Sequence, residues 1–529
     1  MRHDIEVIKY KNGFVGFTMS EIWTIVLALA VVALTIWYYA FRNLDYFKKR
    51  GIPYVPPVPL FGNMGGMVFR TKTFSETILE AYKFNPEAKY VGFFDFGSPV
   101  IFVRDPELIK TITIKSFDNF PDHKMLSEEI SDKLFKQNLF GLNGQRWREM
   151  RALLSPTFTS SKMKILFKLM KDCTSNFVDH LKTRNAKSGE FEMRDALTRY
   201  TNDVIMTSAF GISVNSLEDP DNDFYVTGRE ATNFTGARSL KLFFRRSFPT
   251  LANIVDVKLW SDKIVNFYEN IVKTTIAARD ARGIVRPDML QLMMQARDKS
   301  ETLKLTDDDM AAHAFTFYFG GFDSVALLMC CAIHEIAVHP DVHEKLQAEV
   351  DQVSEECGGV VSYEALHAMP YLDNVVNETL RLHSPAVTTD RLCRQSFELP
   401  PAQPGLKPFL VEPGVSIWLP FAAIHKDAKY YENPEEFDPD RFGDEGKSKI
   451  DPATFLPFGS GPRLCIGNRF ALMETKLVIF ELLANFDITA CSKTINPIRL
   501  SRSSFVPNIE GGVWLKLERR NQREFESST

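Results

Sequence analysis

The sequence lacks the cysteine pattern of a disulfide framework or a zinc site. Its seven cysteines are scattered, odd in number and free of CxxC spacing, whereas both kinds of site need paired or clustered cysteines. The folded part is therefore expected in a reducing compartment. A large charge excess is also lacking, since 63 basic and 67 acidic side chains leave a net charge of -4. This balance argues against nucleic acid as a partner.

Two further absences narrow the class of protein. No GxGxxG motif follows a strand pattern, so the chain carries no nicotinamide or flavin fingerprint of its own. No internal repeat or low-complexity linker divides the chain after about residue 48, and this part therefore reads as one large unit. Phenylalanine, in contrast, is abundant at 43 residues, which suits a large apolar interior and a pocket for an apolar ligand.

An uncharged apolar run occupies residues 22–41. It has the length that a helix needs to cross a bilayer, and Arg42, Lys48, Lys49 and Arg50 follow it. By the positive-inside rule, we predict a single transmembrane anchor followed by a cytoplasmic chain. The alternatives are a cleaved signal peptide, which the length argues against, and a buried core helix, which needs no basic flank.

The apolar run divides the chain into four predicted parts. Residues 1–21 are a lumenal segment, 22–41 the anchor, 42–63 a basic and proline-rich hinge, and 64–529 the large folded domain. The prolines of the hinge favour polyproline II and exclude helix, although an ordinary linker has the same composition. Met19 is an alternative start to Met1, and the sequence leaves that choice open.

Helical periodicity dominates the folded part, and short β patterns occur at four places: 89–94, 99–103, 414–419 and 512–517. We therefore predict a mainly α fold with small β-sheets. A long helix over 307–338 is apolar nearly all round and carries Gly320 and Gly321 side by side. Paired glycines within a helix indicate that something approaches the backbone closely; a simple kink is the alternative.

The most specific segment is the loop PFGSGPRLCIGNRF at residues 457–470. Cys465 lies at its end, just before a helical pattern, and Arg463 is close by in sequence. A helix start and a nearby cation both lower the pKa of a thiol, so we predict a thiolate held as a metal ligand. A buried inert cysteine and a cysteine nucleophile are the alternatives, but no signature of a matching histidine base is found.

These residues resemble a known family. The haem-binding signature FxxGxRxCxG of the cytochromes P450 is matched by Phe458, Gly461, Arg463, Cys465 and Gly467. The ExxR pair of that family is matched by Glu378 and Arg381, and its PERF segment by residues 438–442, with Asp440 in place of glutamate. The resemblance implies a cytochrome P450 fold, with the haem between the long central helix and the cysteine loop.

The resemblance also implies which residues surround haem b. Cys465 is expected to ligate the iron, and contacts to the cofactor are expected from Cys465, Arg463, Phe458, Trp147, Arg151, Arg391, Gly320 and Gly321. The arginines are expected to pair with the propionates, because a guanidinium matches a carboxylate. Glu378, Arg381 and Arg441 are expected to form a buried structural triad that fixes the cysteine loop.

On the central helix, the resemblance implies a groove for dioxygen at the glycine pair and a proton relay beside it. Asp323 and Ser324 are the expected catalytic residues, because O–O cleavage needs protons in a dry site. Ser324 stands where the family usually has threonine, and Val325 removes a second hydroxyl. Serine lacks the methyl group that fixes the rotamer, so we expect turnover with more leakage to peroxide.

The expected substrate is an apolar small molecule contacted by Phe120, Thr316, Phe319, Ala386, Val387 and Phe505. Electrons are expected from NADPH through NADPH–cytochrome P450 reductase, with cytochrome b5 as a second candidate donor. Basic residues that could dock the reductase are Arg146, Arg148, Arg469 and Lys476; a solvated basic face is the alternative. The expected location is the endoplasmic reticulum membrane, with the catalytic domain in the cytoplasm.

The segment at residues 154–164 and the hinge are similar to those of the insect detoxifying branch of the family. Hydroxylation, epoxidation or dealkylation of xenobiotics and insecticides is therefore the leading expectation. Oxidation of an endogenous hormone, pheromone or lipid is the alternative activity. A non-catalytic haem sensor is a third possibility, against which the acid–alcohol pair Asp323 and Ser324 argues.

Overall fold

The computed structural model describes residues 18–124, 132–184, 189–299 and 305–520. Most of the predicted lumenal segment, residues 1–17, lies outside these ranges. Within them the chain is mainly helical with small sheets, which confirms the fold class predicted from the periodicity.

The helices of the first half are α1 Met19–Phe41, α2 Tyr46–Lys49, α3 Gly65–Val68, α4 Phe74–Lys83, α5 Pro106–Lys110, α6 Lys133–Lys136, α7 Gly144–Leu154, α8 Ser160–Arg184, α9 Met193–Ile205, α10 Asp223–Thr232, α11 Gly236–Ser247, α12 Pro249–Ile254 and α13 Asp262–Arg282. Those of the second half are α14 Met289–Lys299, α15 Asp307–Gly321, α16 Asp323–Val338, α17 Pro340–Glu356, α18 Tyr363–His367, α19 Pro370–Leu382, α20 Phe421–Ile424, α21 Asp444–Lys447 and α22 Asn468–Asn485.

The strands are β1 Tyr90–Asp95, β2 Ser98–Val103, β3 Glu190–Glu192, β4 Thr389–Leu392, β5 Phe397–Leu399, β6 Phe409–Val411, β7 Ser416–Leu419, β8 Phe486–Ala490 and β9 Trp514–Arg519. A four-stranded sheet has the order β1-β2-β7-β4, in which β2 and β7 are parallel and the other pairs antiparallel. A three-stranded sheet has the order β3-β9-β8, and β5 pairs with β6. The four predicted strand patterns correspond to β1, β2, β7 and β9.

Two apolar clusters form the interior. The larger joins the long helices, including α8, α9, α13, α15, α16 and α22, and the smaller covers the four-stranded sheet. Helix α15 begins with a capping box formed by Thr306 and Asp309. Because α15 and α16 are almost wholly buried, they run through the centre of the larger cluster, as their all-round apolar character predicts.

Helix α1 and the proline-rich segment contact the folded domain. The ring of Tyr39, near the end of α1, lies 5.2 Å from that of Phe248. In the segment that follows, Phe47 is fully buried, and Gly92 on β1 exchanges backbone hydrogen bonds with Pro53 and Val55. The segment at residues 42–63 therefore packs against the domain.

Candidate functional site

Cys465 closes the loop that the sequence singles out. A single 3-10 turn, Gly461–Arg463, precedes it, and α22 begins three residues later. Its N–H donates to the carbonyl of Phe458 at 2.9 Å, which folds the loop back on itself. Gly461 has a φ of +73°, and a Cβ there would lie 2.0 Å from the carbonyl oxygen of Thr113. Only glycine fits this position.

The electrostatics of the thiol differ from the expectation. Burial raises the pKa of Cys465, and the Gly467 N–H and Arg151 oppose it without reversing it. The cation that acts on the thiol is Arg151 on α7, which donates to the Leu464 carbonyl at 2.8 Å. The predicted lowering of the thiol pKa by the helix start and Arg463 is therefore corrected. Because a bound metal deprotonates a thiol, the thiolate form would depend on the metal.

The sulfur is accessible, although the protein around it is dense enough for burial to raise the thiol pKa. Both observations fit a side chain that faces open space inside the fold. Among the described residues, no group of three His, Cys, Asp or Glu side chains is placed to hold a metal ion. A single cysteine ligand therefore fits a metal that is carried within a larger molecule.

Arg463 points away from the sulfur. Its guanidinium lies 3.8 Å from the ring centroid of Trp147 and donates to the carbonyls of Pro121 and Leu142. Asp122 Oδ1, a partner that the sequence analysis missed, lies 3.4 Å away. These contacts join the cysteine loop to α7, and the expected pairing of Arg463 with a propionate stays a prediction.

Two arginines with buried side chains, Arg391 and Arg463, lie at or near β4. Arg391 is 1% exposed and donates to the carbonyls of Asp390 and Ser460, but its Nε has no partner among the described residues. Burial lowers the pKa of Arg391 to about 10. Asp390 is itself engaged by His123, whose Nδ1 lies 3.0 Å from Oδ1. An unused buried donor beside a second arginine, Arg463, fits the carboxylates of a bound molecule.

Glu378 and Arg381 are one turn apart on α19 and are fully buried. They form a bidentate pair with two N–O distances of 2.7 Å. Arg441 Nε lies 3.3 Å from Glu378 Oε1, which also accepts the Asp438 N–H. Arg381 donates further to the carbonyls of His425, Pro434 and Glu436. The three predicted residues thus meet; their role in fixing the cysteine loop stays a prediction.

The central helix is interrupted at Phe322, between α15 and α16, where the sequence predicts one continuous helix. A Cβ on Gly320 would meet nothing within 4 Å, whereas a Cβ on Gly321 would lie 2.5 Å from Cδ1 of Ile205 on α9. Open space therefore lies beside Gly320. The expectation that both glycines open a groove is corrected for Gly321, which instead lets α9 pack closely.

Asp323 and Ser324 have different surroundings. Asp323 Oδ1 lies 2.8 Å from Nη2 of Arg194, another partner that the sequence analysis missed. Burial raises the pKa of the Asp323 carboxyl, and Arg194 opposes that effect. The Ser324 hydroxyl donates to the Gly320 carbonyl and is accessible, although the helix after it is buried. Ser324 and Gly320, one turn apart, thus face the same open space.

Phe158 connects the cysteine loop to the central helix. Its ring lies 5.5 Å from that of Phe317 on α15, and its Cε1 would lie 3.9 Å from a Cβ on Gly467. Phe158 therefore lies between Gly467, just before α22, and the ring of Phe317 on α15. This contact brings together the two halves of the predicted site.

The predicted substrate residues divide into two groups. Phe319, Ala386 and Phe505 have accessible surface. Phe120, Thr316 and Val387 are buried. The ring of Phe120 packs against Phe397, so the expected substrate contact is corrected to a core position. The Thr316 hydroxyl donates to the Ala312 carbonyl within α15.

The basic residues predicted to dock the reductase differ in their exposure. Lys476 has a side chain that is 5% exposed and pairs with Asp373, so it is corrected to a buried ion pair. Arg148 pairs with Asp118 and Arg146 with Asp309, both with substantial side-chain exposure. Arg469 is exposed. Of these residues, Arg148 and Arg469 stay available at the surface.

Comparisons with known proteins agree with this geometry. The family model described as Cytochrome P450 matches residues 52–515. The chain is similar to Cytochrome P450 9e2 of Blattella germanica, with 43% identity covering 96% of this chain and 100% of that protein. It is also similar to Probable cytochrome P450 9f2 of Drosophila melanogaster, with 39% identity over 94% and 100% of the two chains. Probable cytochrome P450 6a18 of the same fly is 38% identical, over 93% and 98%.

Proposed function

The chain belongs to the cytochrome P450 monooxygenase family, and from this premise we propose that it oxidises apolar small molecules and that Cys465 would hold its haem iron. The family uses haem b and electrons supplied by a reductase. When bound, haem b supplies the activation of dioxygen and the transfer of one oxygen atom to the substrate. The protein must hold it, position the substrate and deliver protons.

The observation that carries this proposal is the placement of Cys465. Its sulfur is accessible at the end of a loop whose shape Gly461 and the Cys465–Phe458 hydrogen bond determine. Phe158 packs between Gly467, next to this loop, and the ring of Phe317 on α15, and Gly320 and Ser324 face open space. A flat cofactor held by one thiolate fits between these elements.

Buried cations would hold the acidic groups of the cofactor. Arg391 offers the unpartnered Nε, and Arg463 is stacked on Trp147. Arg151 lies beside the loop at the Leu464 carbonyl. Burial lowers the pKa of both Arg391 and Arg463. The lowered pKa values mean that this interior disfavours a positive charge without a negative partner. Carboxylates would neutralise that charge and are therefore favoured here.

Asp323 and Ser324 would deliver protons. The Ser324 hydroxyl donates its proton to the Gly320 carbonyl, so it would rotate away from that bond to pass the proton to a group in the open space beside the helix. Asp323 lies next in the chain, and burial raises the pKa of its carboxyl, which brings it closer to the range useful for proton transfer. Arg194 holds that carboxyl in place.

The proposed substrates are apolar xenobiotics, including insecticides. The accessible residues among the predicted contacts, Phe319, Ala386 and Phe505, carry no charge and offer no side-chain hydrogen bond. Such a lining recognises shape and apolar surface, and therefore tolerates many molecules. Oxidation of one endogenous hormone, pheromone or lipid is the second candidate, and it would require one substrate to be strongly preferred.

The proposed location is the endoplasmic reticulum membrane. Helix α1 is 23 residues long and apolar, and the rest of the chain leaves its apolar stretch unburied, as a membrane anchor requires. The other long apolar helix, formed by α15 and α16, is mostly buried and serves the core. The proposed electron donor is NADPH–cytochrome P450 reductase, docked near Arg148 and Arg469, with cytochrome b5 as a second donor.

Turnover in ¹⁸O₂ tests this function. Microsomes that hold the full chain and the reductase would receive NADPH and a panel of apolar molecules. We expect products with one ¹⁸O atom, formed only when NADPH and reductase are both present, and several loosely bound substrates. Oxygen taken from water, or product formed without NADPH, would contradict a monooxygenase. One tight substrate and no other would favour the endogenous role.

A further inference from the structure

His425 lies between the buried triad and the cysteine loop. It follows α20 directly and is fully buried. Its carbonyl accepts a hydrogen bond from Nη1 of Arg381 at 2.9 Å. Its ring Nε2 accepts the backbone N–H of Leu456, also at 2.9 Å. One residue is therefore bonded to the triad through its backbone and to the segment before the cysteine loop through its side chain.

The connection continues from Leu456 into the loop. The Leu456 carbonyl accepts the N–H of Gly459 at 3.1 Å. The peptide group that carries this N–H also carries the Phe458 carbonyl, which accepts the N–H of Cys465 at 2.9 Å. The N–H of Leu456 is thus bonded to His425, and its carbonyl is bonded to the turn that carries Phe458. A continuous series of hydrogen bonds leads from Glu378 to Cys465.

The imidazole must be neutral to take part in this series. An N–H donor such as that of Leu456 needs a lone pair, and only unprotonated Nε2 offers one. Burial, and the positive charge of Arg381, lower the pKa of His425 to about 3, so the acceptor is present throughout the physiological range. The other ring nitrogen, Nδ1, has no partner among the described residues, and the ring packs against Phe455.

We propose that His425 is a positioning residue for the iron ligand, because it links the Glu378–Arg381 pair to the cysteine loop by accepting the Leu456 N–H. The orientation of the pair is transmitted through Leu456 and Phe458 to the backbone of Cys465. This inference rests on the proposed role of Cys465 as haem ligand and adds a residue outside the signature, the ExxR pair and the PERF-like segment.

Three substitutions separate hydrogen bonding from packing. His425→Gln keeps an acceptor, since a glutamine amide oxygen reaches about as far as Nε2. His425→Asn keeps polarity but is too short to reach Leu456, and His425→Leu fills the space without an acceptor. Val272→Ala, at a fully buried position on α13, is the control for general loss of stability, because it lies in another part of the core.

The measurement is the carbon monoxide difference spectrum of the reduced full-length protein, at equal haem content. It gives the ratio of the red-shifted, thiolate-ligated band to the band of ordinary position. We expect His425→Asn and His425→Leu to lower that ratio about tenfold or more, since an unsatisfied buried N–H is costly. We expect His425→Gln to retain it within about twofold. Val272→Ala should lower the urea midpoint and keep the ratio.

Equal ratios in the Gln and Asn variants would overturn the inference, even if the Leu variant does not fold. So would a Leu variant that loses stability like Val272→Ala while keeping the wild-type ratio. The failure of the proposed function has a different signature, because the wild-type protein itself would then lack the red-shifted band.

Discussion

At the scale of single residues, the thiol of Cys465 depends on a balance between burial and nearby positive groups. Burial raises its pKa, and the Gly467 N–H and Arg151 lower it by less. A thiol in this balance stays protonated at neutral pH until a metal displaces the proton. The loop therefore supplies position, and the iron would supply the charge that makes the sulfur a thiolate.

Ser324 is the residue proposed to couple electron use to product formation. Its hydroxyl is held by the Gly320 carbonyl, but serine lacks the methyl group that restricts the rotamer. We expect Ser324→Thr to raise the amount of product formed per NADPH. We expect Ser324→Ala to lower it about tenfold or more, within the range of a positioned proton-transfer group.

Val325→Ala is a suitable control, because Val325 is buried and has no proton to give. Parallel assays of product, NADPH and hydrogen peroxide measure the coupling. An unchanged product-to-NADPH ratio in both the Thr and the Ala variants would show that the hydroxyl has no part in coupling.

At the scale of elements, the break between α15 and α16 gives the two glycines different roles. A methyl group on Gly321 would lie 2.5 Å from Cδ1 of Ile205, while one on Gly320 would enter open space. We expect Gly321→Ala to lose about 1 kcal/mol of stability, because overpacking exceeds the gain in helix propensity. We expect Gly320→Ala to keep or gain stability and to weaken the binding of bulky substrates.

The double variant with Ile205→Val is the matched test, since valine lacks the Cδ1 that would clash. It should recover the stability lost in Gly321→Ala, as measured by urea denaturation. A Gly320→Ala variant that is less stable than Gly321→Ala would contradict this assignment of the open side.

The junction of α16 and α19 contains a carboxylate held by histidines. Nε2 of His383 lies 2.7 Å from Oε1 of Glu335. Burial raises the pKa of Glu335, but the nearby His334 imidazole, 3.7 Å away, and the hydrogen bond from His383 outweigh it and lower the pKa from 4.5 to about 2. A carboxyl with a lowered pKa stabilises the fold above its unfolded pKa and loses that contribution as the pH falls toward the folded value.

Glu335→Gln should therefore be less stable than wild type at neutral pH, by on the order of 3 kcal/mol. The difference should shrink as the pH is lowered from 4.5 to about 2, the window between the two pKa values. Denaturation midpoints followed by tryptophan fluorescence measure this. A difference that stays constant over that window would exclude the proposed titration.

Local pattern predicts the elements far better than it predicts which way a side chain points. The bounds of α7, α19 and α22 and the capping box of α15 follow from prolines, caps and periodicity in the sequence. The orientation of Arg463 toward Trp147, and of Gly321 toward Ile205, depends on residues more than a hundred positions away. For the same reason Asp122, Arg194 and His425 were missed, since each acts through a partner that is distant in sequence.

At the scale of the whole molecule, the site lies where the parts of the fold meet. The cysteine loop precedes a helix of the larger apolar cluster, Arg391 belongs to the sheet covered by the smaller one, and Phe505 packs against both. The anchor contacts the domain through Tyr39 and Phe248. The motifs along the sequence indicate the family, whereas the contacts between distant segments, such as that of Phe158 with Phe317, appear only in the folded chain.

The most direct test of the central claim is the carbon monoxide difference spectrum of the dithionite-reduced protein in microsomes, for wild type, Cys465→Ala and Cys357→Ala. A thiolate ligand gives a strongly red-shifted Soret band, which wild type and Cys357→Ala should show and Cys465→Ala should lack. A Soret band of ordinary position in the folded wild-type protein, or a red-shifted band that survives in Cys465→Ala, would contradict the assignment of Cys465 as the haem ligand.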